Sequence, residues 1–345
     1  MIQNNKFKEA LVKSAKLIVF MGIGTILLWM VYKDQPFDQI ISALKKANFF
    51  WILLTMPIAL LSHISRAIRW NILIDSLGYK ARNINVFFSV MIMYLSNTAI
   101  PRSGEIVRCG IIKKYENIPF SKLLGTVFVE RLTDFLMLVV LILITVFTQL
   151  HVFSNFFRNN EVIMNKSLTG NQVLFLFLTV SLLIILAILF FIFRKKLFHS
   201  RIMQKISNIF MNFMDGIKTV KRLKNRRAYL FHSIFIWTMY FLMIYISFKS
   251  FEFTKELNLL TGITLLVMSS IGFVVPSPGG FGSWHFMIIE TLVIFGIKQQ
   301  PDANAFALAV HGSMTILIVV AGFICLVLLP FFNKIQDKNN QHHPV

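Results

Sequence analysis

The main shortage in this sequence is of charged side chains. They make up only 14% of the 345 residues, whereas a soluble domain is usually about a quarter charged. Acidic residues are fewest, with 15 Asp and Glu against 35 Lys and Arg, which gives a net charge of +20. Only two cysteines occur, Cys109 and Cys325, so a disulfide framework and a cysteine-rich metal site are excluded. The composition is not that of an ordinary soluble domain.

Apolar residues are correspondingly abundant. They account for 56% of the chain, and the mean hydropathy is +0.68. Several apolar runs approach or exceed the roughly 20 residues that an α-helix needs to cross a bilayer. The runs are continuous rather than alternating, which favours helices over a closed barrel. The sequence therefore predicts an all-α polytopic membrane protein.

About eight apolar segments can be distinguished. Two are interrupted, one by Pro101–Gly104 and one by Pro276–Gly282, because proline removes a backbone donor and glycine permits a tight turn. We expect these two to form re-entrant broken-helix hairpins, over 84–112 and 257–297. Six segments are predicted as full transmembrane helices: 17–32, 49–74, 121–150, 171–193, 228–248 and 303–332. Residues 37–48 form an amphipathic stretch expected to lie at the outer interface.

The distribution of basic residues predicts the orientation. The densest basic stretch is 194–227, and cytoplasmic loops carry an excess of Lys and Arg. With both termini in the cytoplasm, every dense basic cluster lies on the same side. The two hairpins then enter from opposite sides, which predicts a single domain, 1–345, with inverted halves 1–170 and 171–345. The 194–227 stretch is expected to contact anionic inner-leaflet phospholipids, so the positive charge does not require a nucleic acid.

Ionisable residues inside apolar segments are costly and by default mark a substrate or ion path. We consider two groups as substrate-binding candidates: Arg102, Glu105 and Arg108 at the first break, then Glu130, Arg131 and Asp134 downstream. The first group is either a self-satisfied charge network or a cradle in which arginine binds a lipid phosphate and Glu105 an ammonium. Arg131 is expected to pair with Glu105 or Asp134. An unpaired carboxylate in this region would be a candidate proton carrier.

The second break is a further substrate-binding candidate. It is either a plain loop or a shaped turn whose backbone amides meet phosphate oxygens. Its candidate residues are Pro276, Pro278, Gly279, Gly280, Gly282 and the adjacent His285, which is either a satisfied or a titrating histidine. Arg66 and Arg69 are secondary candidates. We favour snorkelling to the inner interface for both arginines, with contact to a lipid headgroup as the alternative.

These motifs also carry a family resemblance. The order Pro101-x-x-Gly104-Glu105-x-x-Arg108, Glu130-Arg131-x-x-Asp134 and Pro276-x-Pro278-Gly279-Gly280-x-Gly282 resembles the transmembrane region of lysylphosphatidylglycerol synthases. The resemblance extends from about Leu17 to Phe332. One position departs, since family members usually have Glu about three residues after the last glycine, where this chain has His285. The resemblance implies a stand-alone flippase-like protein without the soluble aminoacyl-transferase domain, with a separate lipid-modifying enzyme as a partner.

The sequence thus favours an integral membrane lipid flippase in a bacterial cell (inner) membrane. Its substrate would be a phospholipid, or an aminoacylated or polyprenyl-linked lipid. The alternatives are a membrane-embedded transferase, or a transferase subunit, acting on lipid-linked substrates, and a scaffold that acts through 194–227. The sequence contains no zinc-protease motif, metal-ligand spacing or P-loop, so we expect no catalytic residue, metal or cofactor. The oligomeric state is left open.

Overall fold

The computed structural model describes residues 37–159 and 225–341, together with Trp29 and Leu223. Every regular element in this part of the chain is helical, and no strand occurs there. The prediction of an all-α protein is confirmed. The predicted helices 17–32 and 171–193, and most of the basic stretch 194–227, lie outside the described residues.

The described residues form nine α-helices. The chain divides into two compact units, residues 1–146 with 223–345, and residues 147–222. Apart from the last part of α5, every helix belongs to the first unit. The helices are α1 Phe37–Lys45, α2 Phe49–Ser76, α3 Asn83–Ala99, α4 Gly104–Glu116, α5 Phe120–Asn159, α6 Arg226–Ser247, α7 Leu259–Gly272, α8 Ser283–Ile294 and α9 Asn304–Gln341.

Three stretches within the described residues are long and apolar enough to cross a membrane. They are Phe49–Ser76, Arg226–Ser250 and Pro301–Asn333, which match three of the predicted spans. They expose large apolar side chains such as Phe231, Ile316 and Phe323, as expected for surfaces that face lipid. Helix α5 starts within one residue of a fourth predicted span and continues to Asn159.

Helices α3 and α4 form the first hairpin. They run antiparallel, since Asn85 near the start of α3 bonds to Glu116 at the end of α4, while the Gly104 amide donates to Asn97 Oδ1 at 2.8 Å. A Cβ at Gly104 would collide with the Met93 carbonyl, so this close packing requires glycine. With 17 and 13 residues, both helices are shorter than the roughly 20 residues that span a bilayer.

Helices α7 and α8 form the second hairpin, with 14 and 12 residues. Helix α7 ends at Gly272, before the predicted start of the break at Pro276. Gly272 lies against the backbone of Ser283 and Trp284, so the end of α7 packs closely on the start of α8. The turn that follows contains a 3₁₀ segment, Pro278–Gly280, and three glycines with positive φ: Gly279, Gly280 and Gly282.

The tips of the two hairpins contact each other. The Arg102 guanidinium donates from Nη2 to the Val274 carbonyl at 2.7 Å, and a Cβ at Gly279 would lie 3.5 Å from Thr98 Cα. The residues in the first contact are 172 positions apart in sequence. The two breaks, widely separated in the chain, therefore meet in the folded protein.

The order of a long helix, a hairpin and a second long helix occurs twice among the described elements. Helices α2 and α6, the first members of the two series, run antiparallel. The Asn48 amide before α2 donates to the Ser250 carbonyl after α6 at 2.8 Å, while Arg69 late in α2 donates to Ser233 early in α6 at 3.3 Å. The inverted halves 1–170 and 171–345 stay a prediction, because their first helices, 17–32 and 171–193, lie outside the described residues.

Candidate functional site

A buried ion cluster joins α2 and α5. Arg66 and Arg69 are three residues apart on α2, and Glu130 and Asp134 are four apart on α5, so each pair lies on one face of its helix. Arg66 Nη1 lies 2.6 Å from Glu130 Oε1 and 3.1 Å from Asp134 Oδ2. Arg69 Nη2 lies 2.7 Å from Asp134 Oδ1 and 3.5 Å from Glu130 Oε1. Each carboxylate therefore contacts both arginines.

A third buried arginine reaches the cluster from the first hairpin. Arg108 on α4 places Nη1 3.1 Å from Glu130 Oε2, and both side chains are fully buried. The Arg108 guanidinium lies over the Trp70 ring, 4.4 Å from its centroid, a favourable cation–π position. The indole of Trp70 in turn donates to Thr126 Oγ1 at 2.9 Å. Glu130 thus lies between arginines from two helices.

Arg131 and Glu105 lie at the edge of the cluster. The Arg131 side chain is 44% exposed, and its guanidinium lies 3.4 Å from Glu130, 3.8 Å from Glu105 and 3.9 Å from Asp134. The prediction that Arg131 pairs with Glu105 or Asp134 is confirmed. Since the Arg131 pairs are longer and more exposed than those of the three buried arginines, they contribute less to stability.

Tyrosine hydroxyls border the cluster on the side of α3 and α6. Arg66 Nη2 donates to Tyr240 Oη at 3.1 Å, and Tyr240 Oη lies 3.3 Å from Tyr94 Oη. The Tyr94 ring packs on His63, with centroids 4.4 Å apart. The sequence pattern singled out none of these three residues, because tyrosine and histidine in apolar helices carry no distinctive signal.

Two interpretations of the arginines require correction. Snorkelling was favoured for Arg66 and Arg69, but both side chains are buried, with 5% and 0% exposure, because they face the carboxylates of α5. The group Arg102, Glu105 and Arg108 is also divided. Arg102 contacts the second hairpin, Glu105 contacts Arg131, and Arg108 contacts Glu130.

The second break packs around two buried histidines. His311 on α9 hydrogen-bonds through Nε2 to the Gly279 carbonyl at 3.0 Å, and its ring stacks on Trp284, with centroids 4.9 Å apart. The His285 ring lies edge-on to His311 at 4.6 Å. His285 was a candidate from its sequence position, whereas His311, which fixes the carbonyl of the turn, was not.

The open end of the first hairpin bears a polar group that the sequence pattern did not indicate. Arg82 Nε donates to Glu116 Oε1 at 3.0 Å and also bonds to Asn333 on α9. Asn85 and Asn333 exchange amide hydrogen bonds at 3.0 and 3.1 Å. This group, Arg82, Asn85, Glu116 and Asn333, is called the base clamp below. It joins the hairpin to α9 at the end opposite its tip.

The ion cluster of the described residues has neither the ligand set of a metal site nor a place in the cavity described below. Within the described ranges, no three His, Cys, Asp or Glu side chains are grouped as metal ligands. A cavity of about 400 Å³ is lined by residues of α1 and the turns near α6 and α9, including Asp38, Glu252 and Asp302. None of the substrate-binding candidates from the sequence lines this cavity, although the amphipathic stretch 37–48 contributes residues such as Asp38 and Lys46.

The fold and the site define a class of protein: an all-α membrane protein in which two helical hairpins meet beside a buried arginine–carboxylate cluster. The comparison with known families agrees with that class. The model of the family described as "Lysylphosphatidylglycerol synthase TM region" matches residues 15–322, and the chain belongs to this family. Membership indicates a membrane protein with a lipid-related function.

Curated relatives come from methanogenic archaea. The UPF0104 membrane protein MJ1595 of Methanocaldococcus jannaschii is 23% identical, over 92% of this chain and 96% of its own length. A UPF0104 membrane protein of Methanothermobacter thermautotrophicus is 21% identical, over 94% of this chain and 99% of its own length. A second M. jannaschii protein, MJ1078, is 26% identical over 63% of this chain and 86% of its own length. No solved structure matches the chain significantly.

Proposed function

We propose that this protein is a lipid flippase that moves a phospholipid, or an aminoacylated or polyprenyl-linked lipid, between membrane leaflets. The observation that carries the proposal is the contact between two hairpin tips, Arg102 with Val274 and Thr98 with Gly279. Paired broken helices that meet within the membrane form the substrate site in many transporters.

The lengths of the hairpin helices support a re-entrant arrangement. At about 1.5 Å per residue, the longest of the four, α3, extends about 26 Å, less than the roughly 30 Å of a hydrocarbon core. Two hairpins that meet tip to tip would enter from opposite sides. Irregular backbone at membrane depth is tolerated only when protein or a wet cavity surrounds it. Pro278 and Gly280 at the second tip are buried, whereas Ile100 at the first tip and Val274 at the second are exposed, so we propose that the exposed parts of the tips line a wet cavity.

The buried ion cluster supports transport of a polar headgroup. Arg66, Arg69, Arg108, Glu130 and Asp134 are placed on helices that pack within a membrane protein, where uncompensated charge is strongly disfavoured. A headgroup could replace one of these ion pairs with its own phosphate or amine, while its acyl chains remain in lipid. The cluster adjoins the first hairpin through Arg108, so movement of that hairpin would alter it.

We further propose a cell-membrane location with both termini in the cytoplasm. The basic stretch 194–227 would then contact the anionic inner leaflet, and a separate lipid-modifying enzyme would supply a modified substrate. The charge distribution of the sequence supports this orientation through the positive-inside rule.

The test is leaflet exchange of fluorescent lipids in proteoliposomes, measured by bleaching the outer leaflet with dithionite. Anionic, zwitterionic and lysine-bearing headgroups are compared. We expect exchange that depends on the headgroup and that falls strongly in Glu105→Gln and Asp134→Asn. The matched control is Glu252→Gln, since Glu252 is 86% exposed and lies outside the cluster. Folded wild-type protein that exchanges none of these lipids would contradict the proposal.

A further inference from the structure

Three buried guanidinium groups converge on a single carboxylate. Glu130 lies 2.6 Å from Arg66, 3.5 Å from Arg69 and 3.1 Å from Arg108. The arginines come from α2 and α4, whereas Glu130 comes from α5. Glu130 therefore occupies the point at which the positive charge of two other helices is concentrated.

The buried part of the cluster carries more positive than negative charge. Its three arginines, at residues 66, 69 and 108, face two carboxylates, Glu130 and Asp134, which leaves one positive charge. At the edge, Arg131 and Glu105 balance each other. Burial of net charge is unfavourable, so a further anion would complete the cluster.

Several hydrogen-bond donors in the cluster also have no partner among the described residues. Among the described residues, Nε of Arg66, Nε of Arg69, and Nε and Nη2 of Arg108 have no hydrogen-bond partner, although these atoms are buried. Buried donors are normally satisfied, and arginine matches phosphate through two parallel hydrogen bonds. Charge and unused donors thus point to the same class of ligand, a phosphoryl group.

We propose that Arg66, Arg69 and Arg108 form a binding site for a phosphoryl group, in which the Glu130 carboxylate occupies the anion position while no ligand is bound. Ligand phosphate would displace Glu130 and hydrogen-bond to the arginines, with Tyr240 Oη, 3.1 Å from Arg66, as a further donor. This inference rests on the proposed function, because the phosphate would be that of the translocated lipid.

The exposed edge of the cluster indicates where a ligand phosphate would enter. Arg131 and Glu105 have 44% and 22% of their side chains exposed, and their 3.8 Å contact joins α5 to α4. Because Arg108 lies on the same helix as Glu105, a shift of the first hairpin would separate this contact and move Arg108 relative to Glu130. The phosphate would then enter between α4 and α5.

The test is direct binding to the purified full chain in micelles of a neutral detergent. Three probes carry identical pyrene-labelled acyl chains: phosphatidic acid, phosphatidylglycerol and diacylglycerol, which has no phosphate. Energy transfer from tryptophan reports binding, and inorganic phosphate is added as a competitor. We expect both phospholipids to bind wild type at least about tenfold more tightly than diacylglycerol, a difference of about 1.4 kcal/mol.

The variants separate a ligand site from a purely structural cluster. Arg108→Gln should weaken phospholipid binding, and Arg108→Lys, which keeps the charge but loses the bidentate geometry, should also weaken it. Glu130→Gln should strengthen binding because it removes the resident competitor, although it lowers stability. A structural role alone predicts no gain in Glu130→Gln. The control is Lys298→Gln, an exposed residue between α8 and α9 that lies outside both the ion cluster and the basic stretch 194–227, and it should bind as wild type does.

The outcomes distinguish the site from the flippase function. Equal affinity of wild type for phospholipid and diacylglycerol would overturn the phosphate site, even if a variant fails to fold. Competition by inorganic phosphate would indicate that a free anion suffices, whereas its absence would indicate that acyl chains are needed. Arginine-dependent binding without leaflet exchange would contradict the flippase and leave the site standing. Leaflet exchange by a protein that binds phospholipid and diacylglycerol equally well would contradict the phosphate site and leave the flippase standing.

Discussion

At the scale of single residues, the first hairpin depends on one close contact. Gly104 starts α4 directly against the Met93 carbonyl of α3, where any side chain would collide. Gly110, nearly two turns further along the same helix, has no atom of the described residues within 4 Å of the position of an added Cβ. The two glycines share a helix but differ in surroundings, which makes them a matched pair.

We predict opposite effects from alanine at these two glycines. Gly104→Ala should lower the free energy of unfolding by about 1–3 kcal/mol, the usual cost of overpacking. Gly110→Ala should be neutral or raise it by up to about 1 kcal/mol, since alanine favours the helix. Thermal unfolding in detergent, followed by tryptophan fluorescence, compares the two variants. Equal effects would show that the α3–α4 contact is not tight.

The loss of stability on replacing an arginine of the ion cluster should likewise depend on how deeply that arginine is buried. Arg66→Gln should reduce the free energy of unfolding by about 3 kcal/mol or more, because it breaks the buried contacts of Arg66 with both Glu130 and Asp134. Arg131→Gln should cost less than about 1 kcal/mol, since Arg131 is half-exposed. The same melting assay checks this order. A larger loss in Arg131→Gln would contradict the burial-based ranking.

At the scale of helices, each hairpin is held by contacts outside itself. The first is fixed by its tip, through Arg102 and Val274, and at its open end by the base clamp. The second is fixed by its turn, through His311 and Gly279. If one end of the first hairpin is to move while the other stays in place, the base clamp is the fixed end, because it contains more hydrogen bonds and joins α9.

We therefore predict that weakening the base clamp loosens the first hairpin. Asn333→Ala removes hydrogen bonds to Asn85 and Arg82, so the amides near the start of α3 should exchange hydrogen faster, as hydrogen–deuterium exchange mass spectrometry would measure. Asn225→Ala is the control, since the Asn225 side chain makes no capping bond to α6 within the described part of the chain. Unchanged exchange in α3 would indicate that the clamp does not hold the hairpin.

At the scale of the whole molecule, the sequence predicted the helices and hairpins better than it predicted the side-chain contacts between them. Long apolar runs and proline–glycine breaks predicted the long helices and both hairpins, because helix length and backbone restrictions are local properties. The spacing of Glu130 and Asp134 placed them on one face for the same reason. Their partners on α2 could not be read from the sequence, since α2 is 28 residues long and the rotation that turns Arg66 inward depends on packing.

The features that the sequence did not predict are mainly contacts between residues far apart in the chain. Arg102 bonds to Val274, 172 positions away, and Asn85 bonds to Asn333, 248 positions away. The identity of these residues does not indicate which partner each one has. The apparent group of Arg102, Glu105 and Arg108 is divided because successive residues of a turn and a helix face different directions. Proximity in sequence was therefore a poor guide to proximity at the site.

The most direct test of the central claim is to lock the hairpin tips together. Thr98→Cys and Gly279→Cys are combined after the buried native Cys109 and Cys325 are replaced by alanine. A Cβ at Gly279 would lie 3.5 Å from Thr98 Cα, so the two positions are in direct contact, as a disulfide requires. We predict that oxidation stops leaflet exchange in proteoliposomes and that reduction restores it, while oxidised single-cysteine variants remain active. Exchange that continues at the wild-type rate in fully cross-linked protein would contradict transport between the hairpin tips.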